Sequence, residues 1–244
     1  PFLRAIGTTK IDTLLLTHAD ADHAENAIAL LDEFRVQRLL VTERFGDDPL
    51  GTMVLDAAKR NKVPVGFVRT GDVYENRDGT FRFFAPPLEG NDGSIVTHVT
   101  TKKHTFLYPG DAERDAEASL VRMLPPAKIL HAGHHGSRTS THDFFLDAMK
   151  PEAAIVSAGR NNVYGHPHEE TLGRLDRHGV RIYRTDREGM IFVDENTGFP
   201  YTLRDRTRRN YFCALMVLAT DLLIVCGFRR YGWTTENSLH QSIH

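Results

Sequence analysis

The amino-acid sequence predicts an α/β layered sandwich, and three observations carry that reading. Short apolar runs of strand length alternate with stretches of helical periodicity over most of the 244 residues. In the middle of the chain strand runs follow one another with no helix between them, which a purely wound parallel sheet does not allow. Glycine and proline punctuate the runs where strands must turn, as at Pro86-Pro87, Gly90, Gly93 and Gly110. With 41% hydrophobic and 25% charged residues there is ample material for a packed core.

In chain order, residues 11–17 read as a buried strand and 24–34 as a helix with Ile28, Leu31 and Phe34 at helical spacing. Residues 36–42 read as a strand, 50–60 as a helix and 63–68 as a strand. Three strands follow at 80–85, 95–101 and 105–108. A helix over 112–124 is stopped by Pro125-Pro126. Strand 127–131, helix 141–149, strand 153–157, helix 169–178 and strand 180–184 then alternate, and 190–193 closes the regular part. Residues 1–198 therefore read as one domain.

Residues 199–244 differ. They are basic over 204–209, mostly apolar over 211–228, and close on Arg229-Arg230. A membrane span needs about 20 apolar residues, and Asp221 would cost about 2.5–3.5 kcal/mol near its centre. The tail is expected to be a terminal helix docked on the domain, with a membrane-proximal segment as the second reading. The chain starts on Pro1 without a signal-peptide pattern and reads as a piece of a longer one.

A net charge of −2 gives no global attraction to polyanions, so any nucleic acid must be held by local charge or metal. Cys213 and Cys226 lie far from the histidines, which argues against a disulfide framework or a cysteine zinc site. The 13 histidines are the unusual number, and they cluster. Residues 18–23 place His18, Asp20, Asp22 and His23 between a strand and a helix, where alternate side chains of an extended turn can converge on one cation. The bland reading makes Asp22 a dipole partner of the helix.

Three further patches change the balance. Asp111 follows Gly110 at a strand end; alone it reads better as an N-cap. His134, His135 and Ser137 sit among glycines that permit close approach of an anion to the backbone. His166 and His168 flank Pro167. All four patches end strands, and strand ends can gather on one rim of a sheet. Their joint occurrence predicts a metal centre.

In this order the patches resemble the metallo-β-lactamase fold, and more narrowly the hydrolase domain of the ComEC family of competence DNA-uptake channels. The resemblance runs over about residues 1–195 through His18–His23, Asn91-Asp92-Gly93-Ser94, Gly110-Asp111, His134–Ser137 and Gly165–His168. Asp20 stands where most of the superfamily has histidine. The superfamily's opening strands are absent upstream of Pro1, which leaves one sheet with an open edge, and Ala24-Glu25-Asn26 replaces a glycine pair.

The resemblance implies an αββα sandwich holding two divalent ions, zinc or manganese. One would take His18 and Asp20, the other Asp22, His23 and His166, with Asp111 bridging and Asn91 as a weak ligand. It implies a water activated for in-line attack on phosphorus. Asp22 would hold that water or take its proton, His168 would protonate the leaving oxygen, and His134, His135 and Ser137 would contact phosphate. The implied substrate is DNA, single-stranded, at the bacterial cytoplasmic membrane through a parent protein; oligomeric state is not implied. Arg138, Arg160, Arg184 and Arg187 lie near the expected rim, and Tyr164 and Phe45 are candidates for base stacking. The alternatives are a small phosphodiester as substrate, or a non-catalytic binding remnant. β-Lactam hydrolysis ranks last because Asp20 and Asn91 break its ligand set.

Overall fold

The computed structural model describes residues 2–5, 7–77, 79–194, 197, 199–202, 217–219 and 222–225. Helix α1 (Phe2–Ala5) precedes β1 (Lys10–Ile11) and β2 (Thr13–Leu15). Helix α2 (Ala21–Glu33) leads into β3 (Arg35–Val36) and β4 (Leu39–Val41), and α3 (Pro49–Arg60) into β5 (Val65–Phe67). Four strands follow in succession: β6 (Val73–Asn76), β7 (Gly79–Phe84), β8 (Val96–Thr100) and β9 (Thr105–Tyr108). Alternation resumes with α4 (Arg114–Leu120), β10 (Ile129–His131), α5 (Asp143–Met149), β11 (Ala153–Val156), α6 (Glu169–Arg177), β12 (Arg181–Arg184) and α7 (Thr185–Glu188). The last described strands are β13 (Ile191–Val193), β14 (Pro200–Thr202), β15 (Val217–Ala219) and β16 (Leu222–Val225).

Two larger sheets carry the fold. One has the order β12-β11-β10-β9-β8-β7-β6, parallel from β12 to β9 and antiparallel from β9 to β6. The other has the order β15-β16-β2-β4-β5, with β2, β4 and β5 parallel. Side chains alternate between faces along each strand, and the packing follows that alternation. Leu14 and Leu16 pack under α2 and α3 in one apolar cluster, while Leu15 joins Phe81, Phe83, Phe106 and Ile129 between the sheets. Leu107 and Leu130 face the opposite way, against Ala116, Phe145 and Leu175 of α4, α5 and α6. Helices thus cover both outer faces, and the molecule is the four-layered α/β sandwich that the sequence predicts.

Local departures have physical causes. Helix α2 begins at Ala21, ahead of the expected 24, so Asp22 and His23 lie in its first turn. Helix α4 begins only at Arg114, because Asp92 reaches across to accept from the amides of Glu113 and Ala116, both at 2.9 Å. Asp111 is therefore not a helix cap. Strand β6 was not foreseen; it pairs antiparallel with β7.

The expected terminal helix over 211–228 is corrected where the chain is described. Residues 217–219 and 222–225 are strands, and β16 runs antiparallel along β2 with Leu223 opposite Leu15. The predicted open edge of β2 is thereby occupied. An edge strand presents a row of unpaired peptide groups, and backbone pairing there outweighs helical tendency in a short aliphatic run. The rest of the predicted tail lies outside the described residues. Among the described residues no helix is long and apolar enough to cross a membrane.

Candidate metal centre

Strand β2 delivers the first ligands. The chain leaves it through Leu16 and Thr17, both buried, and presents His18 at 6% exposure. Asp20 is the N-cap of α2 but makes no side-chain cap hydrogen bond, so its carboxylate stays turned to the site, with Oδ2 3.8 Å from His18 Nε2. Asp22 sits by the positive end of the helix dipole, which favours a carboxylate there.

Gly110, at φ +60, brings in the second patch; a Cβ there would come within 3.1 Å of Thr17 and Ser94 side-chain carbons, so glycine is favoured both by conformation and by space. Asp111 follows at 2% exposure, and its amide donates to Ser94 Oγ at 3.2 Å. Its Oδ2 lies 3.1 Å from His23 Nε2, 3.5 Å from His134 Nε2 and 3.8 Å from His18 Nε2.

The third patch is strained. His134 and His135 are consecutive left-handed residues, at φ 46 and φ 54. For residues with a Cβ that conformation costs roughly 1–2 kcal/mol each. Surrounding bonds hold it. The His134 amide donates to Gly110 O at 3.0 Å, and the Ser137 amide donates to His134 O at 2.7 Å. Both imidazoles are thereby delivered to the carboxylates. One ligand atom from each of Asp22, His23, Asp111 and His135 lies within 4.8 Å of the other three.

The proton positions around this cluster fit a cation. His135 donates Nδ1–H to the carbonyl of Ser157 at 3.0 Å, which leaves an Nε2 lone pair 3.3 Å from Asp22 Oδ2. His134 donates Nδ1–H to Glu113 Oε1 at 2.9 Å and so turns its Nε2 lone pair towards Asp111. His18 Nδ1 lies 3.0 Å from Thr17 Oγ1 and 3.2 Å from Ser94 Oγ, while its buried Nε2 has no hydrogen-bond partner. Burial and the neighbouring His23 push the His18 pKa down to about 4, so at neutral pH it is uncharged. Imidazole lone pairs aimed at carboxylate oxygens repel one another unless a cation lies between them. Histidines that give the other ring N–H to a carbonyl or carboxylate are arranged as metal ligands are. The donor set is nitrogen and oxygen only, which suits zinc or manganese.

Asp22 is held down to about 2, first by the His135 ring when that ring also carries a proton on Nε2, against a smaller opposing effect of burial. His166 is lowered to about 4 by desolvation and by the neighbouring His134. Its ring lies 5.4 Å from that of His134, 6.0 Å from His135 and 4.8 Å from His168. His168 caps α6, and its Nδ1 accepts the Arg138 amide at 3.1 Å, which places the remaining ring proton on Nε2.

Other predicted residues stand elsewhere. Asn91 donates to Glu113 Oε1 at 3.3 Å. Ser137 is buried, with its hydroxyl 2.8 Å from Thr139 Oγ1. Phe45 is in the core under α2 and α3, which removes it as a stacking candidate, whereas Tyr164 is exposed. Arg184 is paired with Asp186 at 2.8 Å.

Several residues that organise the site escaped the sequence reading. Glu113 accepts from Asn91, His134 and Thr139, the last at 2.8 Å. Buried Glu117 receives the amides of Thr141 and His142 and the His142 ring; burial pushes its carboxyl up, and those hydrogen bonds pull the other way. Arg174 of α6 donates to the carbonyls of Arg138, Ser140 and Thr141 at 3.0, 2.7 and 2.9 Å. Together they clasp the loop that carries the strained histidine pair. The available sequence signal was faint: Glu113 is an acid two residues beyond Asp111.

A sandwich with such a cluster at its strand ends defines a class. The chain belongs to the Metallo-beta-lactamase superfamily, whose family profile matches residues 1–160, and it has that superfamily's metal-dependent hydrolase fold. More narrowly, it is similar to competence proteins of the ComEC family. ComE operon protein 3 of Bacillus subtilis (strain 168) is 39% identical over 197 residues, which is 78% of this chain and 25% of that protein. Competence protein ComA of Neisseria gonorrhoeae is 29% identical over 211 residues, 78% of this chain and 26% of that protein. The chain thus spans about a quarter of the length of these relatives. Among solved structures, the metallo-beta-lactamase fold protein YhfI from Bacillus subtilis superposes with a TM-score of 0.50 at 11% identity, over 82% of this chain and 81% of that one. That likeness shows the fold alone.

Proposed function

We propose that this domain is a dinuclear metal-dependent phosphodiester hydrolase acting on DNA, with single-stranded DNA as substrate, and that it works at the bacterial cytoplasmic membrane as part of a longer protein. The observation that carries the reading is the convergence of Asp22, His23, Asp111 and His135 with ligand atoms within 4.8 Å of one another. The names of the relatives, which are competence proteins, support DNA as the substrate. A non-catalytic remnant would have no reason to keep two left-handed histidines aimed at carboxylates.

His18, Asp20, Asp22, His23, Asp111 and His135 would hold the ions, with His166 adjoining. When bound, zinc or manganese supplies Lewis acidity towards a phosphoryl oxygen and makes water a nucleophile near neutral pH. The chain's own groups do the rest. Asp22, ionised far below neutrality, accepts a hydrogen bond from water and orients it; so weak a base does not carry the proton away. His168, with its ring proton on Nε2, would hydrogen-bond the leaving oxygen, which takes its proton from water. His134, braced by Glu113, and exposed Arg138 would contact the phosphate.

The test is cleavage of an end-labelled single strand with added manganese or zinc. Cleavage is expected to vanish on chelation, in Asp111→Asn and in Asp20→Ala, with both variants still folded. Undiminished cleavage by both variants at unchanged metal content would refute the assignment.

A further inference from the structure

Residues between β11 and α6 carry an aromatic that the fold does not use. Val163 is 92% exposed and Tyr164 71% exposed, the two most exposed large hydrophobic residues among those described. Their turn is nevertheless built firmly. Asn162 Nδ2 donates to the carbonyls of Gly159 at 2.9 Å and His166 at 2.6 Å, and its Oδ1 accepts the His166 amide at 2.9 Å. One side chain thus staples both ends of the turn, with Asn161 held at φ 57 and Gly165 at φ 71.

The ring of Tyr164 also has a direction. It stacks on His166 at 5.8 Å and 26°, and His166 stacks on His135 at 6.0 Å and 22°. Three near-parallel rings therefore form a row from solvent to a member of the ligand cluster. Exposed Arg160 precedes the turn in sequence, and exposed Arg138 is joined through its amide to His168, whose ring lies 4.8 Å from that of His166. An outward π-face, a rigid turn and neighbouring cations suit an unstacked nucleobase whose phosphate lies further in. A paired base inside a duplex cannot reach such a face.

We propose that Tyr164, edged by Val163, is the stacking platform for the nucleobase next to the scissile phosphate, so that the site selects a single strand over a small diester. This rests on the DNA-hydrolase reading above and deepens it.

The test compares an oligothymidylate with an abasic strand of equal length and charge, in wild type, Tyr164→Ala and Tyr164→Phe. Base–aromatic stacking is worth about 1–3 kcal/mol, so Tyr164→Ala is expected to raise KM on oligothymidylate about tenfold, with kcat nearly constant. Tyr164→Phe, which keeps the ring, is expected to restore affinity, and the abasic strand to be indifferent to all three. A second readout needs no turnover: in chelator, with Trp233→Phe removing the native tryptophan, the emission of Tyr164→Trp is quenched by oligothymidylate and not by the abasic strand. Equal effects on both strands, or none on either, overturn the platform and leave the hydrolase standing. Should wild type cleave neither strand, the hydrolase reading falls, and presence or absence of the base-dependent quench alone decides the platform.

Discussion

Acidification of the metal-free protein tests the reasoning about buried neutral histidine most directly. His18 has its pKa lowered from 6.5 to about 4, chiefly by burial and then by His23. Between those values the unfolded chain binds a proton that the folded one does not, so stability is present above pH 6.5 and is lost as pH falls towards 4. Each unit of difference is about 1.4 kcal/mol, which puts the loss at about 1.4 kcal/mol by pH 5.5 and roughly 2.5 kcal/mol by pH 4.5. Other groups bear on the same range: His166, also lowered to about 4, and His98, lowered by burial, add losses of the same sign. Asp22, lowered to about 2, keeps its contribution until pH falls below 4. Glu117 is raised by burial, so its protonation favours the folded state as pH falls and acts with the opposite sign. A control separates these effects. Asn at position 18 can mimic Nδ1 towards Thr17 and Ser94 but does not titrate. Urea unfolding in chelator at pH 7.5, 5.5 and 4.5 should show a steeper acid loss in wild type than in His18→Asn. Parallel profiles in the two proteins would mean that His18 is not held neutral by burial, and the lone-pair argument for a cation would lose its footing.

Two other outcomes follow from the loops. Glu113→Gln removes the carboxylate that orients the His134 ring, and, with His134 as a phosphate contact, KM for a single-stranded oligonucleotide is expected to rise about tenfold at constant metal content, as for loss of one charge-assisted hydrogen bond; an unchanged KM would discard Glu113 as a positioning residue. Gly136→Ala, at φ +82, would put a Cβ 2.6 Å from Pro167 Cβ and 3.1 Å from Val156 Cγ1, whereas Gly165→Ala, at φ +71, meets nothing within 4 Å. Chemical unfolding is expected to show a loss of about 2–4 kcal/mol for the first and about 1 kcal/mol for the second, and equal losses would refute the clash.

Strain and support are divided across the fold in a way that explains why the site needs a whole domain. The left-handed pair His134-His135 is a local cost. It is met by Glu117 from α4 and Arg174 from α6, two groups separated by 57 positions in sequence that grip adjoining stretches of one loop. Neither group belongs to the ligand cluster, so neither carries a chemical signature that could be read in one dimension.

What the sequence determined by itself was whatever is local. Strand and helix order follows from hydrophobic period, and the His18–His23 turn is legible because four donors sit within six residues. Asp111, His134, His135 and His166 were recognisable as strand-end polar residues on the same argument. Tertiary structure decided what depends on partners distant in sequence. It put His135 beside Asp22 across 113 positions, made Glu113 a hub, withdrew Phe45 into the interior, and delayed α4 through Asp92. It also laid β16 along β2, where local propensity alone favoured a helix. The reason is common to all of these. A proton position, a lone-pair direction or a free strand edge is a property of the space between segments, and only close packing of the layers brings those segments within the roughly 3 Å over which such groups choose their partners.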